Sequence, residues 1–264
     1  MNDNYYKIIL STFFLFISIS LFAYAEEELG VYQDKYLNQM AVVLNHNQLV
    51  SIDVEKKTGE LLIYETDYEE VLYLKESSKF YTSQSIYTSD FFEDIVSINV
   101  EVYNEKGKRF RLASSEFQIV DSPPSSWVFH DDNKELLFDL KNLGEGYRTV
   151  IEYKKRVKRP QFFDVFHFVS GYPVESSKIE IVFPADVELK FYEQNLDDYE
   201  VLREEIELKK NKKKVVWELS DLDEYKTEEG SVDSKYEIPH LLAQIVSYYS
   251  NEEKVELIGS PDQL

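Results

Sequence analysis

The chain has 264 residues, with 50 acidic against 29 basic side chains, for a formal charge of −21, and it contains no cysteine. That balance repels phosphate backbones and anionic lipid surfaces, which argues against nucleic-acid binding and membrane-surface adsorption. The missing cysteine excludes disulfides, a thiol nucleophile, cysteine-bound metal and an N-terminal lipid on cysteine.

The N-terminus has the three-part layout of a secretory leader. Lys7 supplies the positive charge and Ile8 to Phe22 forms the apolar run. Ala23-Tyr24-Ala25 is a small-x-small cleavage pattern, and Glu26-Glu27-Glu28 turns the chain hydrophilic. Fifteen apolar-run residues, four of them Ser or Thr, fall short of the roughly 20 that span a bilayer. Cleavage after Ala25 is therefore expected, with export to a periplasmic or extracellular location and no transmembrane segment once the leader is gone.

Twenty Tyr, seventeen Phe and two Trp are far more than a disordered acidic tail carries. Beyond the leader the dominant signal is alternation with period two, the mark of half-buried strands. In Leu49 to Glu55, Val50, Ile52 and Val54 share one face. Val96, Ile98, Val100 and Val102 do the same, and a polar loop at Asn104 to Lys108, with Gly107, leads to a return strand at Phe110 to Leu112. Leu136, Phe138 and Leu140 mark the next strand. After a turn at Asn142 to Gly146, Tyr147, Thr149, Ile151 and Tyr153 face one way, and Arg148, Val150, Glu152, Lys154 and Arg156 face the other.

Further strands are predicted at Phe162 to Val169, Lys178 to Phe183 and Val187 to Phe191, the last after a break at Pro184. The charged stretch Asn195 to Lys214 reads as two strands joined by a basic turn at Lys209 to Lys214, followed by Val215, Trp217 and Leu219. Leu241 to Tyr249 is the last predicted strand, and acidic Asp221 to Ser234 the best boundary candidate. About a dozen short strands with little helix predict an all-β chain, an antiparallel β-sandwich or barrel-like sandwich. The expected organisation is leader 1–25, β domain 26–250, and 251–264 as a tail or the start of a missing downstream domain. Ser260-Pro261-Asp262-Gln263 has the form of a helix N-terminus with a capping box.

The chemistry-bearing motifs are few. None of His46, His130, His167 and His240 has metal-type spacing, and neither a G-x-S-x-G elbow nor a phosphate-cradling glycine loop occurs. Asp221-Leu222-Asp223-Glu224 offers hard oxygens without the spacing of a calcium loop. With fifty acids, no carboxylate pair stands out for glycosidase-type chemistry. No catalytic, cofactor-binding or metal-ligating residue is therefore assigned. A speculative binding surface consists of Trp127 and His130, beside the Pro123-Pro124 turn, with Tyr248 and Tyr249; Tyr225 and Tyr236 extend the aromatic set. The basic run Lys154 to Arg159 is a second candidate docking feature, with a solvated strand end as its plain alternative.

Four segments taken in order resemble the DUF3857 family: SINVEVYNEKGKRFRL (97–112), LKNLGEGYRTVIEYKKRV (140–157), RPQFFDVFHFVSGYPVESSKIEIVFP (159–184) and YEIPHLLAQIV (236–246). The similarity runs from about Met40 to Tyr249. It implies an exported β-sandwich of the kind that precedes a transglutaminase-like, papain-fold domain. That domain's Cys, His and Asp would lie beyond Leu264, and no cysteine here can receive the nucleophile's role. The resemblance thus implies a non-catalytic domain that packs against a transglutaminase-like domain, in cis or trans, and positions its substrate or partner. The alternative is a stand-alone extracytoplasmic glycan- or peptide-binding module. No cofactor is expected under either reading.

Overall fold

The computed structural model describes residues 26–80, 82–122, 133–140, 143–160, 165–226 and 237–257. Among the described residues, the α-helix α1 (Glu26–Lys35) precedes the strands β1 (Ala41–Val54), β2 (Leu61–Tyr73), β3 (Ser83–Ser89), β4 (Glu93–Tyr103) and β5 (Arg109–Arg111). They are followed by β6 (Gln118–Asp121), β7 (Asn133–Asp139), β8 (Arg148–Val157), β9 (Phe166–His167) and β10 (Val174–Pro184). The remainder are β11 (Glu188–Gln194), β12 (Leu202–Leu208), β13 (Lys212–Leu222), β14 (His240–Ser250) and β15 (Glu253–Glu256). Among the described residues no helix is long and apolar enough to cross a membrane.

An open eight-stranded sheet, in the order β12-β13-β10-β1-β2-β8-β4-β5, forms one layer. Two smaller sheets contribute to the other: β11-β14-β15 with β9 beside β14, and β3-β7-β6. The all-β sandwich is thus present without barrel closure, since β12 and β5 are free edges of the large sheet. One pairing departs from the antiparallel expectation: β1 and β10 run parallel, with Val50 opposite Ile181. A parallel neighbour needs a long crossover, which the intervening strands provide.

A single apolar cluster joins the layers. Val50, Ile52, Ile63, Val100, Ile181 and Trp217 from the large sheet meet Phe138 of β7 and Leu241 and Ile245 of β14. Trp217 is fully buried, its ring edge-on to Phe191 at 4.8 Å and its Nε1 donating to Glu193 at 2.8 Å. The outer face of β1 and β2 carries a second, smaller cluster, Val42, Leu44, Leu72 and Leu74, covered by Leu29, Tyr32 and Tyr36 from α1 and just beyond it. Those three residues recur at helical spacing, which explains why this segment is helical rather than extended.

Local deviations follow from bulges and turns. In β4 the register shifts between Ile95 and Ser97, so Ile98, Val100 and Val102 face inward while Val96 is 53% exposed. The expected common face therefore loses its first member. The basic turn is shorter than predicted: Lys210 and Asn211 take positive φ and β13 already begins at Lys212. A hairpin return, β15, pairs with β14 and extends that sheet past the last predicted strand.

Candidate functional site

The inward face of the large sheet carries an unexpected polar band. In β2, alternation turns Glu65, Asp67 and Glu69 to the same side as Ile63 and Val71, whose cross-strand partners Ile52 and Val43 lie in the core. Register then builds three polar rows across the strands. Ser177, His46 and Glu69 form the first, Gln48 and Asp67 the second, and Glu65 and Lys155 the third. Burying carboxylates is costly unless they are paired. Gln48 Nε2 donates to Asp67 at 2.8 Å, and Lys155, only 7% exposed, reaches Glu93 at 3.1 Å.

The Ser177–His46–Glu69 row has the residue types of a hydrolytic triad but not the geometry that chemistry needs. Ser177 Oγ lies 3.4 Å from His46 Nδ1, but the serine is completely buried, out of reach of a substrate. The His46 ring stacks on Phe166 at 4.9 Å. Burial, with a smaller contribution from His167, lowers its pKa to about 4, making it a poor base at neutral pH. Desolvation raises the Glu69 carboxyl, which favours the neutral acid over the anion that would stabilise an imidazolium. The row is a polar element of the core arranged across three strands, its serine sealed from substrate and its histidine a poor base.

A surface cleft of about 690 Å³ opens where the two layers part, between β12–β13 and β11–β14–β15. Phe183, Val187, Leu189 and Phe191 contribute its apolar lining, and Glu205 and Lys254 are among its charged residues. Tyr249, one of the residues of the speculative binding surface, is 47% exposed and lines it. Its neighbour Tyr248 is not among the lining residues: it is half-buried and packs against the apolar cluster. The two therefore form no joint platform. Tyr225 directs its hydroxyl toward Glu237 at 3.4 Å. Trp127, His130 and Tyr236 lie outside the described residues, as do the leader with its cleavage position at Ala25 and the capping motif at Ser260.

The basic run is not one patch. Strand alternation sends Lys155 and Val157 inward, while Lys154 faces out over the Tyr64 ring at 4.4 Å. Lys158 pairs with Asp94, and Arg159 stacks on Phe91. At the acidic stretch, Asp221 holds Lys35 at 2.7 Å and Glu224 contacts Lys226. Among the described residues no group of three or more His, Cys, Asp or Glu is placed to hold a metal ion.

Sequence reasoning passed over β2 and with it the polar band. Ile63, Glu65, Asp67, Glu69 and Val71 alternate correctly, but three acids occupy core positions, so a pattern search for apolar residues sees only its ends.

No curated protein matches the chain. Among solved structures, it is similar to the crystal structure named "putative protease from Parabacteroides distasonis ATCC 8503", with a TM-score of 0.60 and 16% identity. The match covers 77% of this chain and 40% of that one, so the present chain spans about two fifths of that protein's length. At this identity the likeness is one of fold. Residues 64–226 match the family described as a domain of unknown function with solved structure, DUF3857, in agreement with the ordered strand motifs. On that match, which takes in most of the large sheet, the chain belongs to the DUF3857 family.

Proposed function

We propose that this chain is an exported, non-catalytic β-sandwich domain that packs against a transglutaminase-like catalytic domain, in cis or trans, and positions its substrate or partner. The observation that carries the reading is the fold match to a limited part of a longer chain named "putative protease", of which the match covers two fifths of the length. The absence of cysteine from the sequence and the burial of Ser177 support a domain without a nucleophile of its own. The leader pattern ending at Ala25 supports export.

The test is turnover by residues 26–264 on panels of peptide, ester, amide and glycan substrates. The expected result is no activity. Turnover abolished by Ser177→Ala, or by one carboxylate substitution, would overturn the proposal.

A second reading, a stand-alone extracytoplasmic glycan- or peptide-binding module, is favoured by the cleft at Tyr249. Aromatic side chains at a cleft provide contact area at low entropic cost. Binding of a glycan or peptide that is lost in Tyr249→Ala, with no catalytic partner required, would favour this module.

A further inference from the structure

We infer that His167 and His240 form a two-histidine site for a divalent first-row transition-metal ion of the imidazole-preferring kind, Zn²⁺, Ni²⁺ or Cu²⁺. The two residues are direct cross-strand partners of β9 and β14. Directly opposed residues of an antiparallel pair share one face of the sheet, with Cβ atoms about 5 Å apart. Here the ring centroids are 5.6 Å apart and the rings are inclined at 57°. Two imidazoles bound through nitrogen to one tetrahedral ion, at metal–nitrogen distances near 2.0–2.1 Å, put their centroids roughly 5 Å apart. The observed spacing lies close to that value.

The second observation concerns the tautomer. His240 Nδ1 lies 2.9 Å from the Ile238 carbonyl oxygen. A carbonyl only accepts, so Nδ1 carries the hydrogen and Nε2 carries the lone pair. A ligating histidine is oriented in this way, its other nitrogen donating to a backbone carbonyl. The same carbonyl accepts from Asn195 Nδ2 at 3.0 Å, which fixes the acceptor and through it the ring. Both histidines are half-buried, so solvent ions have access. The remaining cross-strand neighbour of His240 is Gln194 of β11, which brings no cation to the site. The formal charge of −21 raises the local concentration of divalent cations.

His46 is not a third ligand. It sits half-buried on the inward face of β1, beside Ser177 at 3.4 Å and stacked on Phe166, the residue that alternates with His167 in β9 and so faces the opposite side. No group of three metal-type ligands forms among the described residues. Two protein ligands therefore leave coordination positions for water or for a donor from another molecule. The imidazole pair selects the ion class, since Mg²⁺ and Ca²⁺ prefer oxygen ligands.

The experiment is calorimetric titration of untagged residues 26–264 with ZnCl₂, and separately with CaCl₂. The expected result is one Zn²⁺ per chain and no Ca²⁺. Either His167→Gln or His240→Gln should weaken Zn²⁺ binding by about tenfold or more. Binding unaffected by both substitutions, or absent from the wild type, would overturn the inference. If a variant fails to fold, the wild type still decides the matter by histidine modification with diethylpyrocarbonate. Zn²⁺ should protect His167 and His240, and modification of the pair at the same rate with and without Zn²⁺ would overturn it.

Discussion

Arg148 and Glu70 meet across β8 and β2 with 2.7 Å between guanidinium nitrogen and carboxylate oxygen, both nearly sealed from solvent. Glu70 also accepts from Asn45 Nδ2 at 2.8 Å and lies 3.3 Å from the Tyr68 hydroxyl. This network ties three adjacent strands together on the outer face of the large sheet. Removing one charge leaves the other buried, so Glu70→Ala or Arg148→Ala should each destabilise the fold by about 3–5 kcal/mol. The double replacement Glu70→Leu with Arg148→Met should cost much less than the sum of the two single changes, because no orphaned charge remains. Urea denaturation of the single and double variants checks both statements.

Trp217 fills the space between β13 and β11. Trp217→Ala removes that volume and leaves Glu193 without its indole donor, for an expected loss of about 3–5 kcal/mol. Trp217→Phe should cost less, because it keeps most of the volume and the edge contact with Phe191. Thermal denaturation orders the three proteins: wild type above Trp217→Phe above Trp217→Ala.

Gly59 adopts φ +74°, and a Cβ there would run into the Ser250 hydroxyl at the β14–β15 turn. Gly107 has φ +73° with open space around it. Both substitutions to Ala strain a left-handed backbone, but only Gly59→Ala also forces two turns apart. Gly107→Ala should cost about 1 kcal/mol and Gly59→Ala clearly more. Equal losses in chemical denaturation would show that the β1–β2 turn does not pack on the β14–β15 turn.

His46 makes stability depend on pH. Its folded pKa of about 4 lies below the ordinary 6.5 because burial disfavours the charged ring. The stability this contributes is complete above pH 6.5 and is lost as pH falls toward 4, when the unfolded chain takes up a proton that the folded chain refuses. Glu69 acts in the opposite sense: its raised carboxyl favours the folded state at low pH, and that contribution is lost as pH rises through its folded value. Comparison with His46→Phe isolates the histidine. Wild type should lose about 3 kcal/mol relative to that variant between pH 6.5 and 4. A difference that stays flat over this window contradicts the assignment.

The strands that sequence reading located best were those with one apolar and one polar face. In β8, Thr149, Ile151 and Tyr153 turn inward as their alternation implied, and β10 and β14 follow the same rule. β2 escaped notice because Glu65, Asp67 and Glu69 take inward positions that hydropathy assigns to solvent. The parallel β1–β10 pairing had no local signal, since the choice of neighbour depends on contacts far apart in sequence. Histidine proximity was hidden for the same reason: His167 and His240 are separated by over seventy residues and meet only through β9–β14 pairing. At the cleft, Tyr248 and Tyr249 part by alternation along β14, and only the packing of β11, β13 and β15 around that strand shows that Tyr249 is the one that lines the opening.

Under the proposed function, this sandwich serves a separate catalytic domain. The most direct measurement places a photo-crosslinking p-benzoylphenylalanine at position 249, in the cleft, and identifies the products from irradiated source cells by mass spectrometry. The expected product is a crosslink to a transglutaminase-like domain, within the same polypeptide or in a second one. Crosslinks confined to glycan, or to no macromolecule at all, would contradict it.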